Sequence, residues 1–320
     1  MRSNFKIIIG ILVFGLFLVV FFGIIKGSVN VAFSDLLLRE NRQILNLRIL
    51  RVIVAIIAGS GLAVSGIALQ AILRNSLAEP YLLGTSSGAG LGAVVAIILG
   101  LSAAFLPLTA FIGAILSVVL AYNISRQNNK ISEQSLILSG VIISVALSAI
   151  IVLLISISGN QVLHGITWWL WGSLQVYSPK LIFIVSLVVL TGVAGIYIYS
   201  QDLNAISIGE EEAVHLGIKI ETVKKILIVI TSLVTASIVC LCGIIGFVGL
   251  MIPHIMRLIV GPNHKVLIPS TCLAAAIFMV FCDMLSRVIF PPLEIPIGVI
   301  TAILGAPTFI FLLKHKQRVK

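Results

Sequence analysis

The stretch from Ile7 to Ile25 reads IIIGILVFGLFLVVFFGII, a run of 19 residues without a charged side chain. A helix of about this length crosses the roughly 30 Å hydrocarbon layer of a bilayer. The rest of the 320-residue chain is similar, because 59% of it is hydrophobic, only 10% is charged and the mean hydropathy is +1.21. A soluble domain carries about a quarter charged residues. The sequence therefore excludes a water-soluble fold and predicts an all-α polytopic membrane protein, with residues 1–320 forming one transmembrane domain.

Breaks at polar, glycine-rich and proline-rich positions divide the chain into ten predicted spans. These spans are 5–25, 50–73, 81–105, 107–124, 135–157, 181–199, 226–242, 244–260, 267–285 and 296–313. The basic start before the first span resembles a signal peptide, but the apolar run is too long and no Ala-x-Ala site follows. We therefore expect an uncleaved first helix. Small residues at four-residue spacing, such as Gly84, Gly88 and Gly92, predict closely packed helices.

The basic residues predict the orientation of the chain. A net charge of +10 could indicate nucleic-acid binding in a soluble protein, but here the bases lie in short loops between apolar spans. Ten spans place both termini on one side, together with 14 of the 21 Lys and Arg residues. By the positive-inside rule we expect both termini in the cytoplasm, and no nucleic-acid partner. Seven bases should face outward: Lys26, Arg39, Arg42, Arg48, Arg51, Lys180 and Arg287.

Two segments between spans stand out by composition. Residues 159–178 contain Trp168, Trp169 and Trp171, which predicts a short helix at the membrane interface or re-entering the membrane. Residues 200–225 hold five of the eleven acids and form the longest polar stretch of the predicted inner face. A cytosolic protein partner is the natural reason for such a stretch in so apolar a chain.

Ionisable groups within the spans are few, which counts against a proton- or sodium-coupled carrier. Asp283 and Arg287 are four residues apart and are predicted to pair on one helix face, with a role of Asp283 in the transport path as the alternative. His254 has no second ligand at helical spacing, so we interpret it as a packed histidine rather than a metal or haem ligand. The cysteines are interpreted as small core residues, because they lack the spacing of a zinc or disulfide framework; they are Cys240, Cys242, Cys272 and Cys282.

No phosphate-binding loop of the form Gly-x-x-x-x-Gly-Lys-Ser/Thr occurs in the chain. Energy for uphill transport would therefore have to come from another polypeptide. We expect this chain to bind no cofactor or metal of its own and to have no enzymatic activity.

Several motifs in order along nearly the whole chain resemble the FecCD family of permeases. They are Arg48-Ile-Leu-Arg51, Ser65-Gly66 with Gln70, Arg74-Asn-Ser-Leu-Ala-Glu-Pro80, Leu83-Gly-Thr-Ser-Ser-Gly-Ala89, 168–174, 208–217, 243–254, Arg257, 261–264, 293–298 and 305–307. One small departure is Ser76, which stands where the family usually has proline.

The resemblance implies the permease fold of an ABC type II importer. Two such ten-helix chains, as a homodimer or a paralogous heterodimer, would surround one path through a bacterial cell membrane. Two ATPase subunits would use ATP and Mg below it, and an extracellular binding protein or lipoprotein would deliver the cargo. Residues 1–320 would be the permease domain, with 200–225 as its cytoplasmic coupling loop.

The resemblance also assigns roles to individual residues. Matching arginines in the family receive carboxylates of the binding protein, which implies docking by Arg48, Arg51 and Arg287; contacts with lipid phosphates or pairing within the chain are the alternatives. Coupling to the ATPase is implied for Gly209, Glu210, Glu211, Ala213, Leu216 and Gly217, against a merely solvated loop. By position at the start of the fifth span, an inner gate is predicted at Ser132, Glu133 and Gln134.

The expected function is import of a ferric siderophore or haem. A cobalamin importer is the alternative within the family, and an ion-coupled secondary transporter is the alternative of another class. A membrane enzyme using His254 and Asp283 is disfavoured, because the sequence shows no nucleophile and base pair beside them.

Overall fold

A computed structural model describes residues 2–29, 31–36, 38–127, 130–176 and 178–318. In these ranges the chain forms fourteen α-helices: α1 Arg2–Ile25, α2 Phe33–Leu36, α3 Arg42–Ile72, α4 Thr85–Ile98, α5 Leu106–Ser125, α6 Glu133–Ser156, α7 Asn160–Leu170, α8 Pro179–Ile198, α9 Ser200–Ile208, α10 Glu210–His215, α11 Ile220–Cys242, α12 Val248–Val260, α13 His264–Val288 and α14 Ile297–Arg318. Two-residue strands, β1 Arg126–Gln127 and β2 Lys130–Ile131, pair antiparallel between α5 and α6.

Ten of these helices account for the ten predicted spans. Seven are long and apolar enough to cross a bilayer, namely α1, α3 with the turn before it, α5, α6, α8, α11 and α13. The other three, α4, α12 and the part of α14 up to Leu312, are apolar but shorter. The all-α polytopic architecture is therefore confirmed.

Several predicted span boundaries differ from the observed helix ends. Helix α3 begins at Arg42 and α11 at Ile220, each well before the predicted span. Two further spans are shorter than predicted, for reasons that the structure shows. The predicted span 81–105 holds only the helix 85–98, which ends before Gly100 at φ +64°. The predicted span 244–260 becomes helical only from Val248. The preceding residues are held in a non-helical course by Tyr81, whose hydroxyl donates to the carbonyl of Ile245 and accepts from its N–H.

Helix α3 is the centre of the bundle and is buried along most of its length. It packs against α1, α8, α11, α12 and α13. Its approach to α12 needs glycine, because a Cβ on Gly66 would lie 2.0 Å from the carbonyl oxygen of Gly249. The predicted close packing at Gly88 is confirmed, since a Cβ there would lie 2.3 Å from the carbonyl oxygen of Gly113 on α5. Helices in lipid associate through such close contacts, since apolar burial drives them little there.

The bundle has two ends that carry the predicted site residues. The arginine end comprises the C-terminus of α1, the first half of α3, α7, and the connection from α13 to α14. The loop end comprises the start of α6, the α9 and α10 helices, and the start of α11. The predicted short helix around the tryptophans is observed as α7, which includes Trp168 and Trp169.

Candidate functional site

The three arginines predicted to dock a binding protein meet at the arginine end. Arg51 on α3 contacts Asp283 on α13, with Nε 2.5 Å from Oδ1, and Glu294 in the following connection, with Nη1 2.6 Å from Oε2. Its Nη2 also donates to the Ser286 hydroxyl at 3.3 Å. One guanidinium thus joins two carboxylates from opposite sides of the cluster.

Arg287 is 2% exposed and fully engaged within the chain. Its Nη2 lies 2.7 Å from Oδ2 of Asp283, which confirms the pairing predicted from their spacing. It also donates to the carbonyls of Gly23 and Lys26 at the end of α1, each at 2.9 Å. Arg287 therefore ties the last turn of α13 to the end of the first helix.

Arg48 is 6% exposed, and its guanidinium donates to three main-chain carbonyl oxygens. The acceptors are the carbonyls of Ile24, Ile25 and Val29, at 3.1, 2.6 and 2.7 Å. The first two belong to the last turn of α1, where unpaired carbonyls carry a partial negative charge that favours a cation.

The cluster of Arg48, Arg51, Arg287, Asp283 and Glu294 holds three guanidinium groups against two carboxylates. One positive charge is left in excess, beside a cavity of about 200 Å³ that Arg48, Arg51, Arg287 and Glu294 line. Burial alone would raise the pKa of the Glu294 carboxyl, but the Arg51 charge and hydrogen bonds outweigh it and hold the pKa below its ordinary value of 4.5. The geometry therefore shows the intrachain pairing that the sequence left open as an alternative, around a site with spare positive charge.

Other bases of the arginine end lie on the surface. Lys26, Arg39, Arg42 and Lys180 are exposed, whereas the three predicted docking arginines are largely covered. All seven bases were predicted to lie on this face. The sequence alone does not show which of them are buried and which are exposed to solvent.

At the loop end, α9 and α10 meet at Gly209 and form the predicted coupling segment. Helix α10 covers Glu210–His215, with Leu216 as its C-terminal cap. Gly217 has φ +80° and its N–H donates to the Val214 carbonyl, while the Ile218 N–H donates to the Ala213 carbonyl. This pair of bonds is a Schellman motif, which requires a left-handed residue at the position of Gly217.

One side of the coupling segment packs against the rest of the protein, and the other side is exposed. Ala213 is fully buried against the body of the protein. Ile208 and Leu216 are each 71% exposed, and Val214 is 60% exposed, next to the exposed acid Glu211. Leu216 was among the predicted coupling residues, whereas Ile208 and Val214 were not. Their signal was present, because apolar residues in the most polar stretch of an inner face are unexpected unless a partner covers them.

Glu210 also touches the region of the predicted inner gate. Ser132 precedes α6 as its N-terminal cap residue and is exposed, as is Gln134, while Glu133 is half-buried. Lys224 on α11 hydrogen-bonds the Glu210 carboxylate, and its Nζ lies 3.6 Å from Oε1 of Glu133. This contact with Lys224 lowers the pKa of the Glu210 carboxyl.

The remaining candidates lie in the packed interior. His254 is buried, with its ring 5.9 Å from that of Phe309 in an edge-on arrangement. Asp283 is occupied by two arginines, which leaves it no free carboxylate oxygen for acid and base chemistry. Cys240, Cys242 and Cys282 are buried and Cys272 is half-buried, which confirms their interpretation as core residues.

Comparison with known proteins identifies relatives along nearly the whole chain. The FecCD transport family matches residues 11–315. The cobalamin import system permease protein BtuC of Halobacterium salinarum is 36% identical over 286 residues, which cover 87% of this chain and 75% of that protein. The hemin transport system permease protein HmuU of Yersinia pestis is 34% identical over 282 residues, covering 85% of this chain and 83% of that protein.

A solved structure has the same fold. It is an ABC transporter assigned to the metal-chelate type and captured in an inward-facing conformation. One of its chains superposes with a TM-score of 0.88 at 32% sequence identity, covering 97% of the present chain and 99% of that chain. The ten-helix arrangement described above is thus that of an ABC type II importer permease.

Proposed function

This chain belongs to the FecCD transport family, and from that premise we propose that it moves an iron chelate or haem into a bacterial cell as the permease subunit of an ABC importer. It is a multi-pass membrane protein and a transporter subunit of the ABC type. In the proposed orientation the arginine end faces outward, and the loop end and both termini face the cytoplasm, as the positive-inside rule favours.

The observation that carries the proposal is the exposed apolar surface of the coupling segment. Ile208, Val214 and Leu216 project from a short helix pair that the buried Ala213 anchors and Gly217 ends. A membrane protein gains nothing by holding such side chains in water, whereas a soluble partner with a matching cleft would cover them. We assign that partner as one of two ATPase subunits, which would bind the ATP and Mg that this chain has no loop to hold.

The arginine end would receive the binding protein that delivers the cargo. The excess positive charge of the cluster, and the exposed bases Lys26, Arg39, Arg42 and Lys180, favour an acidic partner. Arg51 already holds two carboxylates, so a carboxylate of the partner would compete with Glu294 for this guanidinium. We therefore propose docking in two steps: attraction by the exposed bases, then engagement of the buried cluster.

A second permease chain, identical or paralogous, would complete the path. Helix α6 has a large unpartnered apolar face in the described chain, including Leu138, Ile142 and Val145. With this face against the second chain, the first turn of α6 at Ser132, Glu133 and Gln134 would stand at the cytoplasmic mouth of the path. That position is the one expected of an inner gate.

Cobalamin is the second candidate cargo: similarity to the cobalamin permease BtuC supports it, as similarity to HmuU supports haem. The experiment that separates them uses the cognate binding protein with labelled ferric siderophore, haem and cobalamin in competition. We expect an iron chelate or haem to be bound and imported. Exclusive binding and import of cobalamin would overturn the iron assignment and leave the permease assignment intact.

A further inference from the structure

Lys224 is a buried cation that contacts two functional segments at once. It lies near the start of α11 and is 3% exposed. Its ammonium hydrogen-bonds Glu210, the first residue of α10, and lies 3.6 Å from the carboxylate of Glu133, the first residue of α6. Three helices therefore meet at one amino group.

The apolar surroundings of the Lys224 ammonium require that carboxylates lie next to it. Ile72, Leu73, Leu136 and Ile228 line the same narrow cleft as Lys224 and Glu133. An ammonium in an apolar cleft is strongly disfavoured unless carboxylates or water solvate it. Because the lysine has three N–H donors, it can serve both carboxylates together or turn to one of them when the other withdraws.

We propose that Lys224 is a positioning residue that links the coupling helix α10 to the gate helix α6. The inference rests on the proposed function, in which α10 meets the ATPase and α6 begins at the inner gate. A displacement of α10 would draw Glu210 away from or toward Lys224 and change how strongly Lys224 holds Glu133. The start of α6 would then respond to the state of the ATPase through one shared cation.

The linkage explains why a charged side chain is present at position 224, although burying it is unfavourable. A leucine or methionine at position 224 would fill the cleft and cost no desolvation. A buried lysine instead gives a contact that depends on direction and distance and that has two alternative partners. Such an element has the two arrangements that energetic coupling between sites requires.

The test compares Lys224→Met with the matched variant Lys225→Met, whose side chain is the exposed neighbour on the same helix turn. Each is assembled with the ATPase and binding protein in proteoliposomes, and uptake and ATP hydrolysis are measured together. We expect Lys224→Met to assemble and hydrolyse ATP while uptake per ATP falls about five- to tenfold, within the usual range of coupling between sites. Lys225→Met should match the wild type, and Lys224→Arg, which keeps the charge, should recover most of the ratio.

The outcomes separate this inference from the proposed function. If wild type and Lys225→Met show no ATP-dependent uptake, the proposed function fails. If they do, and Lys224→Met keeps the wild-type ratio or loses uptake and hydrolysis in parallel, Lys224 has no linking role. Should Lys224→Met fail to assemble, a double-mutant cycle with Glu133→Gln and Glu210→Gln replaces it. Linkage predicts non-additive effects on uptake per ATP, and additive effects would overturn it.

Discussion

Arg51 and Asp283 are separated by 232 positions in sequence, yet Nε and Oδ1 of the pair lie 2.5 Å apart with the Asp283 side chain wholly buried. The contact joins α3, the central helix, to α13. Asp283 uses its other oxygen for Arg287, so one carboxylate neutralises two guanidinium groups. The arginine end is therefore the proposed docking face and also holds helices together through the ion pairs of Asp283 with Arg51 and Arg287, which we call the clasp.

The clasp predicts a large loss of stability in Asp283→Asn. Two buried guanidinium groups would lose their shared counter-ion, and breaking a buried ion pair by removing one partner costs about 3–5 kcal/mol. Thermal unfolding of the purified permease in detergent measures the effect. Glu40→Gln, an exposed acid of the same end, is the control and should unfold like the wild type. Equal melting temperatures for all three proteins would contradict the clasp.

Glu294→Gln should strengthen binding-protein docking. The amide holds Arg51 less strongly than the carboxylate does, so a partner carboxylate would meet a freer guanidinium and a larger excess positive charge. The measurement is the Kd of the loaded binding protein for the permease and ATPase complex at low salt. A Kd several-fold lower is expected, and an unchanged or higher Kd would argue that Arg51 acts only within the chain.

Charge reversal at the exposed bases should affect the rate of docking. Arg39→Glu combined with Arg42→Glu removes surface charge that attracts an acidic partner, without touching the buried cluster. We expect a lower association rate at low salt, a difference that shrinks as salt screens it, and a dissociation rate close to the wild type. A rate independent of both the substitutions and salt would exclude this step.

The pH dependence of stability follows from Glu294. Its pKa is lowered in the folded protein, so its pairing contributes stability that is complete above the ordinary value of 4.5 and is lost as the pH falls through the folded value. Wild type should therefore be more stable than Glu294→Gln at pH 7. The difference should decrease below about pH 4.5. Melting curves of both proteins across this range test the sign, and a difference that grows on acidification would contradict it.

Coupling can be broken without altering the spans by Gly217→Pro. Proline cannot adopt φ +80° and has no N–H to donate to the Val214 carbonyl, so the Schellman motif would be lost. Uptake should fail while the permease remains folded, and Lys219→Ala, an exposed neighbour, should transport normally. Normal uptake by Gly217→Pro would show that the segment is misassigned.

Features set by neighbouring residues could be predicted from the sequence. The apolar runs indicated ten helices, and the four-residue spacing indicated the Asp283–Arg287 pair. Contacts between distant segments could not be predicted in this way. Arg51 was expected to face a partner, but it is held by Asp283 and Glu294, and the start of α12 is delayed by Tyr81. The contact of Lys224 with Glu133 and Glu210 likewise depends on how three helices pack.

The most direct test of the importer assignment is uptake into proteoliposomes containing this chain, its ATPase and its binding protein, with ionophores present to collapse proton and sodium gradients. A hydrolysis-dead ATPase serves as the control. Uptake should require ATP hydrolysis, persist without ion gradients and vanish in the control, because the chain has no nucleotide-binding loop and its spans hold few ionisable groups. Uptake driven by an ion gradient in the absence of ATP would contradict the assignment.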